Sequence, residues 1–390
     1  MERIISTEKL PIKMWLNEPE NGALKQALNL ANLPFAFSHI CLMPDTHEGY
    51  GMPIGGVLAA KNVIVPNAVG VDIGCGMCAV KTNIEGKGLE RNNLTQIMAG
   101  IRERIPLGFK HHKERQDESL MPQGYTLDEM KVVKREYFAA LKQLGTLGGG
   151  NHFIEMQQSD DGYFWIMVHS GSRNFGLKVA EYYNKIAKKL NASYYSAVDP
   201  KAELAFLPFE TDEAHAYYKE MRYCTEFALA NRKLMMDRIK EVVSTTFSNV
   251  IYEPIINIAH NYAAWETHFD KKVIVHRKGA TSAKPGETGI IPGSQGTKSY
   301  IVEGMGNPES FMSCSHGAGR VMSRNAAIRK LDLEEEKQKL DNLGILHSIR
   351  HKSDLEEASS AYKDISQVMA LQCDLIKIKA ELSPLAVVKG

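Results

Sequence analysis

Five side chains that could bind metal ions stand where an apolar, strand-like stretch of the sequence gives way to a turn. Proteins that alternate strands and loops gather such residues at one rim of a sheet, so we expect these side chains to meet. A single centre with an open position for substrate rarely needs five protein ligands, so two ions that share a thiolate fit the number better. Three imidazoles and a thiolate favour zinc on ligand softness alone. The candidate ligands are Asp72, Cys75, His152, His169 and His260.

Each candidate ligand also has an ordinary structural explanation. In VDIGCGMC, Asp72 and Cys75 fit a turn-capping carboxylate beside a buried thiol. Cys78 completes a CxxC pair, but its apolar neighbours indicate that it packs in the core. A single histidine is more often a hydrogen-bonded structural residue than a ligand. The similar settings of all five residues favour a metal centre over five independent structural roles.

A separate glycine-rich segment, SCSHGAGR, carries His316 directly before Gly317. Small residues after a histidine allow backbone N–H groups to line up on an anion, and Arg320 adds a bidentate donor for phosphate. A histidine placed in this way can attack phosphorus and form a phosphoramidate. A glycine-rich turn that binds an anion without a covalent step explains the same residues, and the sequence alone leaves both possibilities open.

Further polar and basic residues lie next to these segments. The loop PGSQGTKSY carries Ser294 and Ser299, whose small side chains could hold a base or a phosphate, although an ordinary hairpin loop fits as well. A local positive patch beside a metal centre suits a polyphosphate or a nucleic-acid backbone. The basic residues that predict this patch are Arg173, Arg277, Lys278 and Lys298.

The stretches between these motifs predict the elements that position them. Helical periodicity occurs at about residues 24–31, 95–103 and 128–142, and apolar runs separated by glycines predict strands elsewhere. The polar stretch 106–125 predicts a surface loop, 177–248 a mainly helical inserted segment, and 325–380 a charged helical tail. Glycine-rich loops recur on both sides of the inserted segment without a linker, so we expect one composite α+β domain over residues 1–390.

The composition restricts the class of protein. The 390 residues are 44% hydrophobic and 24% charged, with 47 basic and 46 acidic side chains, which is typical of globular proteins and argues against disorder. The near balance of charge means that nucleic acid would have to bind a local patch. Apolar runs of about 18 residues and a secretory signal are absent from the sequence, so we expect a cytoplasmic protein without membrane segments. Six scattered cysteines are too few for a disulfide framework.

Ten short segments, in chain order, resemble those of the RtcB family of RNA ligases. They are MPDTHEGYGMPIGG, VGVDIGCG, GGGNHFIE, HSGSR, HNY, RKGA, PGSQGTKSY, SHGAGRVMSR, AYKDISQVM and VVKG. The resemblance implies a composite α+β fold of mixed and antiparallel sheets, with surrounding helices and a central metal cleft. It also implies a GTP-dependent and manganese-dependent enzyme that joins RNA 2′,3′-cyclic phosphate or 3′-phosphate ends to 5′-hydroxyl ends, in tRNA splicing or RNA repair.

The resemblance further implies roles for single residues. His316 would take GMP from GTP and pass it to the RNA 3′-phosphate, from which the 5′-hydroxyl displaces it. The five candidate ligands would hold two manganese ions bridged by Cys75, and we prefer this to zinc because metal availability often overrides intrinsic affinity. GTP or GMP is expected at Asn151, Phe153, Glu155, Ser294, Ser299, Gly317, Ala318, Gly319, Tyr362 and Lys389. RNA phosphates are expected at Arg173, Arg277, Lys278, Lys298 and Arg320, with Asp45 and His47 in a supporting role.

Departures from the family pattern leave the RNA preference open. The sequence has PDTH where the family usually has PDVH, and Gln295 where the family usually has a methionine. The stretch between VDIGCG and GGGNHFIE is shorter than in some relatives. A two-metal phosphodiesterase or phosphatase would use the same ligands without a nucleophilic histidine. A non-catalytic RNA-binding protein would be expected to have lost a ligand or His316. Oligomeric state and the need for an archease-type activator also stay open.

Overall fold

The computed structural model describes residues 1–86, 89–194 and 196–390. Helices and strands alternate along these ranges, which confirms the predicted α+β class. The helices are α1 (Asn21–Ala31), α2 (Pro66–Val69), α3 (Arg91–Arg104), α4 (Lys131–Gln143), α5 (Arg173–Ser193), α6 (Asp212–Thr246), α7 (Arg324–Lys330), α8 (Leu333–Asn342) and α9 (Ile365–Ala370). The strands are β1 (Arg3–Ile5), β2 (Ile12–Met14), β3 (Ala36–Tyr50), β4 (Met52–Ala60), β5 (Val63–Ile64), β6 (Gly76–Glu85), β7 (Phe153–Ser159), β8 (Tyr163–Ser170), β9 (Leu207–Pro208), β10 (Ile256–Ala259), β11 (Asn261–His268), β12 (Lys271–Lys278), β13 (Ala280–Ser282), β14 (Thr288–Ile291), β15 (Ser299–Gly304), β16 (Ser313–Ser315) and β17 (Ile376–Lys389).

Two large sheets contain most of these strands. One has six strands in the order β1-β2-β3-β4-β12-β11, and the other has seven in the order β10-β6-β8-β7-β17-β15-β14. Neighbours pair antiparallel in both sheets, except that β2 and β3 are parallel. The mixed and antiparallel sheets are therefore those that the sequence predicts.

The seven-stranded sheet is buried on both faces along β8. Alternate residues of a strand point to opposite faces, and YFWIMVHS is apolar at nearly every position. Ile166 and Val168 belong to a core cluster that includes Met235 of α6. Met167 belongs to a different cluster, which includes Ile290 of β14. The continuous apolar run thus reflects a strand that is covered on both sides.

The longest helix, α6, packs against the seven-stranded sheet. Thr211 caps its N-terminus, where the Thr211 Oγ1 accepts a hydrogen bond from the Ala214 N–H at 3.3 Å. Acidic Asp212 and Glu213 occupy the first turn, where the helix dipole favours them. The predicted segment 177–248 contains all of α6 and most of α5, which begins earlier, at Arg173. Its status as an insertion stays a prediction, and its Tyr195 lies outside the described residues. Among the residues described, no helix is both long and apolar enough to cross a bilayer.

The prediction of a helical tail up to about residue 380 is wrong in its last part. Helices α7, α8 and α9 lie in this region, but Ile376 begins β17, which pairs with β15 on one side and β7 on the other. Two strand neighbours satisfy the backbone of β17, and residues such as Leu382 and Val388 are buried on the sheet. Strand partners that are distant in the chain therefore determine the conformation of this segment and override its local helical preference.

Candidate metal centre and active-site cleft

A cleft of about 760 Å³ is lined by residues of both large sheets, and all five candidate ligands line it. His47 of β3 and Lys278 of β12 come from the six-stranded sheet. His169 of β8 and Lys389 of β17 come from the seven-stranded sheet. The loop that follows β16 adds His316. The volume is in the range of small-molecule sites.

Strand pairing brings four candidate ligands to one edge of the seven-stranded sheet. Cys75 directly precedes β6, and His260 directly follows β10, whose last residue lies opposite the first residue of β6. The His260 N–H donates to the Cys75 carbonyl at 2.8 Å. His152 directly precedes β7, whose first residue lies opposite His169 of β8. The antiparallel register therefore places these side chains side by side.

The ligand atoms form two overlapping groups of three that share Cys75, and within each group they lie within 4.8 Å of one another. In the first group, the Sγ of Cys75 lies 3.3 Å from Nε2 of His169, which lies 3.4 Å from Nε2 of His260. In the second group, Sγ lies 3.5 Å from Nε2 of His152, which lies 3.1 Å from Oδ2 of Asp72. The Asp72 side chain is the most open of the five, at 32% exposure.

The histidine rings present nitrogen lone pairs to these groups. Nδ1 of His169 donates to the Asn151 carbonyl at 3.0 Å, so its Nε2 carries the lone pair. Burial lowers the pKa of His169 and His260 well below the usual value, which makes both rings neutral. Nδ1 of His152 and of His260 has no hydrogen-bond partner among the described residues. Neutral imidazoles with converging Nε2 atoms are the form that binds metal ions.

The thiol completes a donor set that fits divalent metal ions. Burial raises the pKa of Cys75 well above its usual value, and the Asp72 carboxylate adds to the shift. A cation held between these groups would stabilise the thiolate, which is the form of cysteine that binds metals. Three imidazoles, a thiolate and a carboxylate arranged about a shared sulfur therefore suit two ions. Cys78, by contrast, is fully buried in the apolar core behind the sheet, as its sequence neighbours predict.

Asn231 of α6 holds the loops that carry two of the histidines. Its Oδ1 accepts hydrogen bonds from the N–H groups of Gly145 and Thr146 at 2.7 and 3.1 Å, in the turn that leads to His152. Its Nδ2 donates to the Gly171 carbonyl at 3.1 Å, just after His169. The Asn231 side chain thus fixes the spacing of these two loops.

Arg232, the next residue of α6, does the same for the other loops. Its guanidinium donates to the carbonyls of Gly74 and Ser170 at 2.9 and 2.8 Å and to Oδ1 of Asn257 at 2.8 Å. Each acceptor lies within three residues of a candidate ligand. Both Asn231 and Arg232 are fully buried. Sequence analysis missed them, because α6 carries many polar residues and only the fold shows that these two are buried.

His316 lies beside the metal-ligand groups, with its ring centroid 4.8 Å from that of His260. Its Nδ1 lies 2.6 Å from Oδ2 of Asp45, and the N–H groups of His316 and Gly317 donate to the same oxygen at 3.0 and 3.3 Å. Burial alone would raise the pKa of Asp45, but the interactions with His316 outweigh burial and lower it. The carboxylate holds the ring proton on Nδ1, which leaves Nε2 of His316 free as a nucleophile.

The surroundings of Asp45 are themselves fixed. Nζ of Lys363 donates to the two backbone carbonyls that flank Asp45, at 3.0 and 2.6 Å. A Cβ on Gly319, whose φ is +75°, would lie 2.1 Å from the Asp45 carbonyl oxygen, so this close approach requires glycine. His47 lines the cleft next to this segment, and burial lowers its pKa to about 4.

The residues expected around GTP or GMP line the cleft, with one exception. Ser299 is buried outside it, where its Oγ accepts the Gly293 N–H at 3.2 Å and so shapes the loop that carries Ser294. Burial raises the pKa of Glu155 to about 8, although Lys389 opposes this shift. The residues that line the cleft are Asn151, Phe153, Glu155, Ser294, Gly317, Ala318, Gly319, Tyr362 and Lys389.

Glu357 also lines the cleft and was missed by sequence analysis. It is buried, lies 2.8 Å from Nε of Arg324 and 3.2 Å from Nη1 of Arg320, and accepts the hydroxyl of Tyr362. Burial alone would raise the pKa of Glu357, but the positive charges of Lys389 and Arg320 help to lower it. The Arg320 guanidinium lies 5.0 Å from the Tyr362 ring centroid. This carboxylate therefore orients an arginine and an aromatic ring toward the cleft.

Three of the basic residues expected to meet RNA phosphates line the cleft: Arg173, Lys278 and Arg320. Arg173 has a φ of +59°, a left-handed conformation that side chains rarely adopt and that is often kept at functional positions. A Cβ on Gly148, whose φ is +95°, would lie 2.2 Å from Nη1 of Arg173, so glycine allows this packing. Nζ of Lys278 donates to two backbone carbonyls at 2.6 and 3.1 Å, and burial lowers its pKa to about 7.

Arg277 and Lys298 do not line the cleft. Arg277 is fully buried and donates to both carboxylate oxygens of Glu266, at 2.6 and 3.1 Å, so its expected contact with RNA is wrong. It neighbours Lys278 in β12, and consecutive strand residues point to opposite faces. Lys298 pairs with Glu381 at 2.6 Å on the surface, and its contact with RNA stays a prediction.

Comparison with known proteins assigns this chain to a family. The family described as tRNA-splicing ligase RtcB matches residues 26–127 and 111–390. The chain is 37% identical over 412 residues to the RNA-splicing ligase RtcB of Escherichia coli K12, covering 99% of both chains. It is 31% identical over 460 residues to the tRNA-splicing ligase RtcB of Thermococcus kodakarensis, covering 100% of this chain and 94% of that one. These matches span nearly the whole length, and the chain belongs to the RtcB family.

Proposed function

We propose that this chain is an RNA ligase. Membership of the RtcB family and the names of its relatives, RNA-splicing and tRNA-splicing ligases, support the class of reaction. The main support for the mechanism is the His316–Asp45 pair, which positions a nucleophilic nitrogen beside the two groups of candidate metal ligands that share Cys75. A two-metal phosphodiesterase needs no such nucleophile, so this pair favours ligation over hydrolysis.

The proposed substrates are GTP and two RNA ends, one with a 2′,3′-cyclic phosphate or 3′-phosphate and the other with a 5′-hydroxyl. Water first opens a cyclic end to the 3′-phosphate. Nε2 of His316 then attacks the α-phosphorus of GTP, so that a P–N bond forms while the bond to pyrophosphate breaks. The RNA 3′-phosphate takes GMP from the histidine. Finally the 5′-hydroxyl attacks the RNA phosphorus, GMP leaves, and a phosphodiester bond joins the strands.

Asp45 contributes to the first transfer by fixing the proton. The ring becomes positively charged as His316 bonds to phosphorus, and the buried carboxylate offsets that charge. Two Mn²⁺ ions held by the two groups that share Cys75 would supply Lewis-acid stabilisation of the charge on the phosphate oxygens. Arg320 and the N–H groups that follow His316 provide further donors for a phosphate.

The guanine base is proposed to lie against Glu155. A carboxylate accepts hydrogen bonds from both N1–H and the 2-amino group of guanine, and adenine lacks this pair of donors. Burial keeps Glu155 protonated in the free protein at neutral pH, and the charge of Lys389 together with the two guanine donors would favour its charged form when the base binds. Phe153 and Tyr362 line the same cleft and offer aromatic faces. These residues would select GTP over ATP.

The test is a joining assay with purified protein, GTP, Mn²⁺ and two RNA fragments that carry the proposed ends. Wild type should produce the joined RNA, and His316→Ala should not. His215→Ala is the matched control, because His215 is exposed and does not line the cleft. Joining by His316→Ala would contradict the role of this histidine, and hydrolysis of the phosphate end without joining in every variant would favour the phosphodiesterase alternative.

A further inference from the structure

The loop of residues 107–116, which we call the 107–116 loop, lies beside the cleft and is held at both ends. The Gly108 N–H donates to the Gly148 carbonyl at 3.1 Å. The His112 N–H donates to the Lys142 carbonyl at 3.0 Å. Nη2 of Arg173, on the cleft wall, donates to the carbonyl of Gly108 at 2.9 Å. The position of this loop relative to the metal-ligand groups is therefore fixed by hydrogen bonds.

Phe109 projects from the 107–116 loop and lines the cleft, yet it is 97% exposed. The next most exposed large hydrophobic side chain among the described residues is Ile251, at 67%. Val71 and Val321 line the same cleft and are 52% and 54% exposed. Apolar surface that gathers at the mouth of a cleft marks a binding surface, because a ring left in water stabilises nothing in the free protein.

Exposed lysines lie on the same loop as Phe109. Lys110 and Lys113 are exposed on the same loop, and Glu114 is its only acidic residue. Arg115 is directed elsewhere, since its guanidinium lies 4.2 Å from the centroid of the Phe138 ring on α4. The two exposed lysines of the loop therefore follow Phe109 by one and four residues.

We propose that Phe109 is a stacking platform for one nucleobase of the RNA strand that enters the cleft, and that Lys110 and Lys113 contact the phosphates beside that base. The inference rests on the proposed RNA ligase function and adds a substrate contact outside the reacting groups. Single-stranded RNA is bound by aromatic rings that stack on its bases and by basic side chains that follow its backbone. Exposed aromatic and basic groups on one anchored loop match that chemistry.

Binding of a fluorescein-labelled single-stranded RNA with a 3′-phosphate, followed by anisotropy, tests the platform. Phe109→Ala should raise the Kd by about 5- to 150-fold, which is the usual effect of losing one base–aromatic stack. Phe109→Tyr keeps an aromatic face and should bind nearly as wild type. Phe269→Ala is the matched control, because Phe269 is also exposed, at 44%, but does not line the cleft. Circular dichroism checks that each variant is folded.

Modified RNA locates the stacked base. An abasic site placed at successive positions from the 3′ end should weaken binding to wild type at one position, and at that position Phe109→Ala should cause no further loss. Lys110→Ser and Lys113→Ser should each reduce the slope of log Kd against log salt by roughly 0.7, as expected for one lost phosphate contact on a single strand.

Two results would overturn the inference: Phe109→Ala that binds RNA as tightly as wild type, or Phe269→Ala that weakens binding equally. The first result would also be expected if the ring served a protein partner. Labelling of the wild-type preparation with GTP is measured alongside. A wild type that takes the label while Phe109→Ala binds RNA normally would reject the platform and leave the ligase mechanism standing.

Discussion

At the scale of single residues, the contact of Asp45 with Nδ1 of His316 leaves Nε2 as the nitrogen that would react in the proposed mechanism. Asp45→Asn should lower the rate of histidine guanylylation on the order of 10²- to 10⁴-fold, because an amide does not hold the proton on Nδ1 as a carboxylate does. The initial rate of labelling with GTP measures this, and thermal unfolding shows whether the variant is intact. A folded Asp45→Asn that reacts at the wild-type rate would contradict the assigned role.

Burial of Glu155 predicts a pH effect on stability. Its pKa is raised to about 8 from an ordinary value of 4.5, so the folded protein retains a proton that the unfolded chain releases. The contribution of Glu155 to stability is therefore complete below about pH 4.5 and is lost as the pH rises toward about 8. Compared with Glu155→Gln, wild type should lose up to about 1.4 kcal/mol of unfolding free energy per pH unit in this range. Denaturant unfolding at several pH values measures this difference. If the unfolding free energies of wild type and Glu155→Gln changed with pH in parallel, the prediction would be contradicted.

Residue types and their positions at strand ends were enough to predict that the five candidate ligands meet, and the clustering of their side chains agrees with this; the role of His316 as a nucleophile came from the family resemblance and stays a prediction. The role of Asp45 was not predictable in the same way, because it lies 271 residues from His316 and the two meet only when β3 and the loop after β16 are packed together. Arg277, by contrast, was wrongly assigned to the site because its neighbours in the sequence suggest it. Successive side chains of β12 point to opposite faces of the sheet, and Arg277 forms a buried ion pair with Glu266.

At the scale of elements, α6 links the loops that carry the candidate metal ligands. Arg232→Met should weaken metal binding about 10- to 100-fold, because the carbonyls of Gly74 and Ser170 lose the donor that fixes them. Titration with Co²⁺, followed by the absorbance of the metal–thiolate bond, measures affinity without relying on activity. Arg222→Met on the exposed face of α6 is the control. Equal Co²⁺ affinities for the two variants would contradict this role of Arg232.

Local patterns predicted elements whose apolar spacing is regular, such as α1 and α4, and the apolar runs that became β7 and β8. They failed for the end of the chain, where charged residues in Ile376–Ala380 suggested a helix. The strand forms there because β7 and β15 supply hydrogen-bond partners on both sides, and a single sequence does not reveal those partners.

At the scale of the whole molecule, metal binding should stabilise the fold, because the ligands come from segments spread between Asp72 and His260 and are brought together only when the protein is folded. Mn²⁺ at about 100 times its Kd should add about 2.7 kcal/mol to the unfolding free energy, and a chelator should reverse the effect. Thermal unfolding measures the shift. Cys75→Ser should lose most of it, whereas Cys373→Ser, at an exposed cysteine outside the cleft, should keep it. An unchanged unfolding temperature in wild type would contradict metal binding.

The α+β class and the family were predictable from the motifs, since short segments along most of the chain carry the resemblance. The cleft was less predictable from the sequence, because it depends on how two sheets face each other. It also depends on strands that pair across large distances in the sequence, such as β4 with β12. The same reason explains why sequence analysis missed Glu357, Asn231 and Arg232. Each of them acts through contacts that exist only in the folded molecule.

In the proposed mechanism, Nε2 of His316 becomes covalently bound to GMP. Wild type incubated with Mn²⁺ and GTP radiolabelled at the α-phosphate should retain acid-labile label after denaturation, and peptide mass spectrometry should locate the adduct on His316. His316→Ala should take up no label. An unlabelled wild type that binds Mn²⁺, or a label on another residue, would contradict the mechanism.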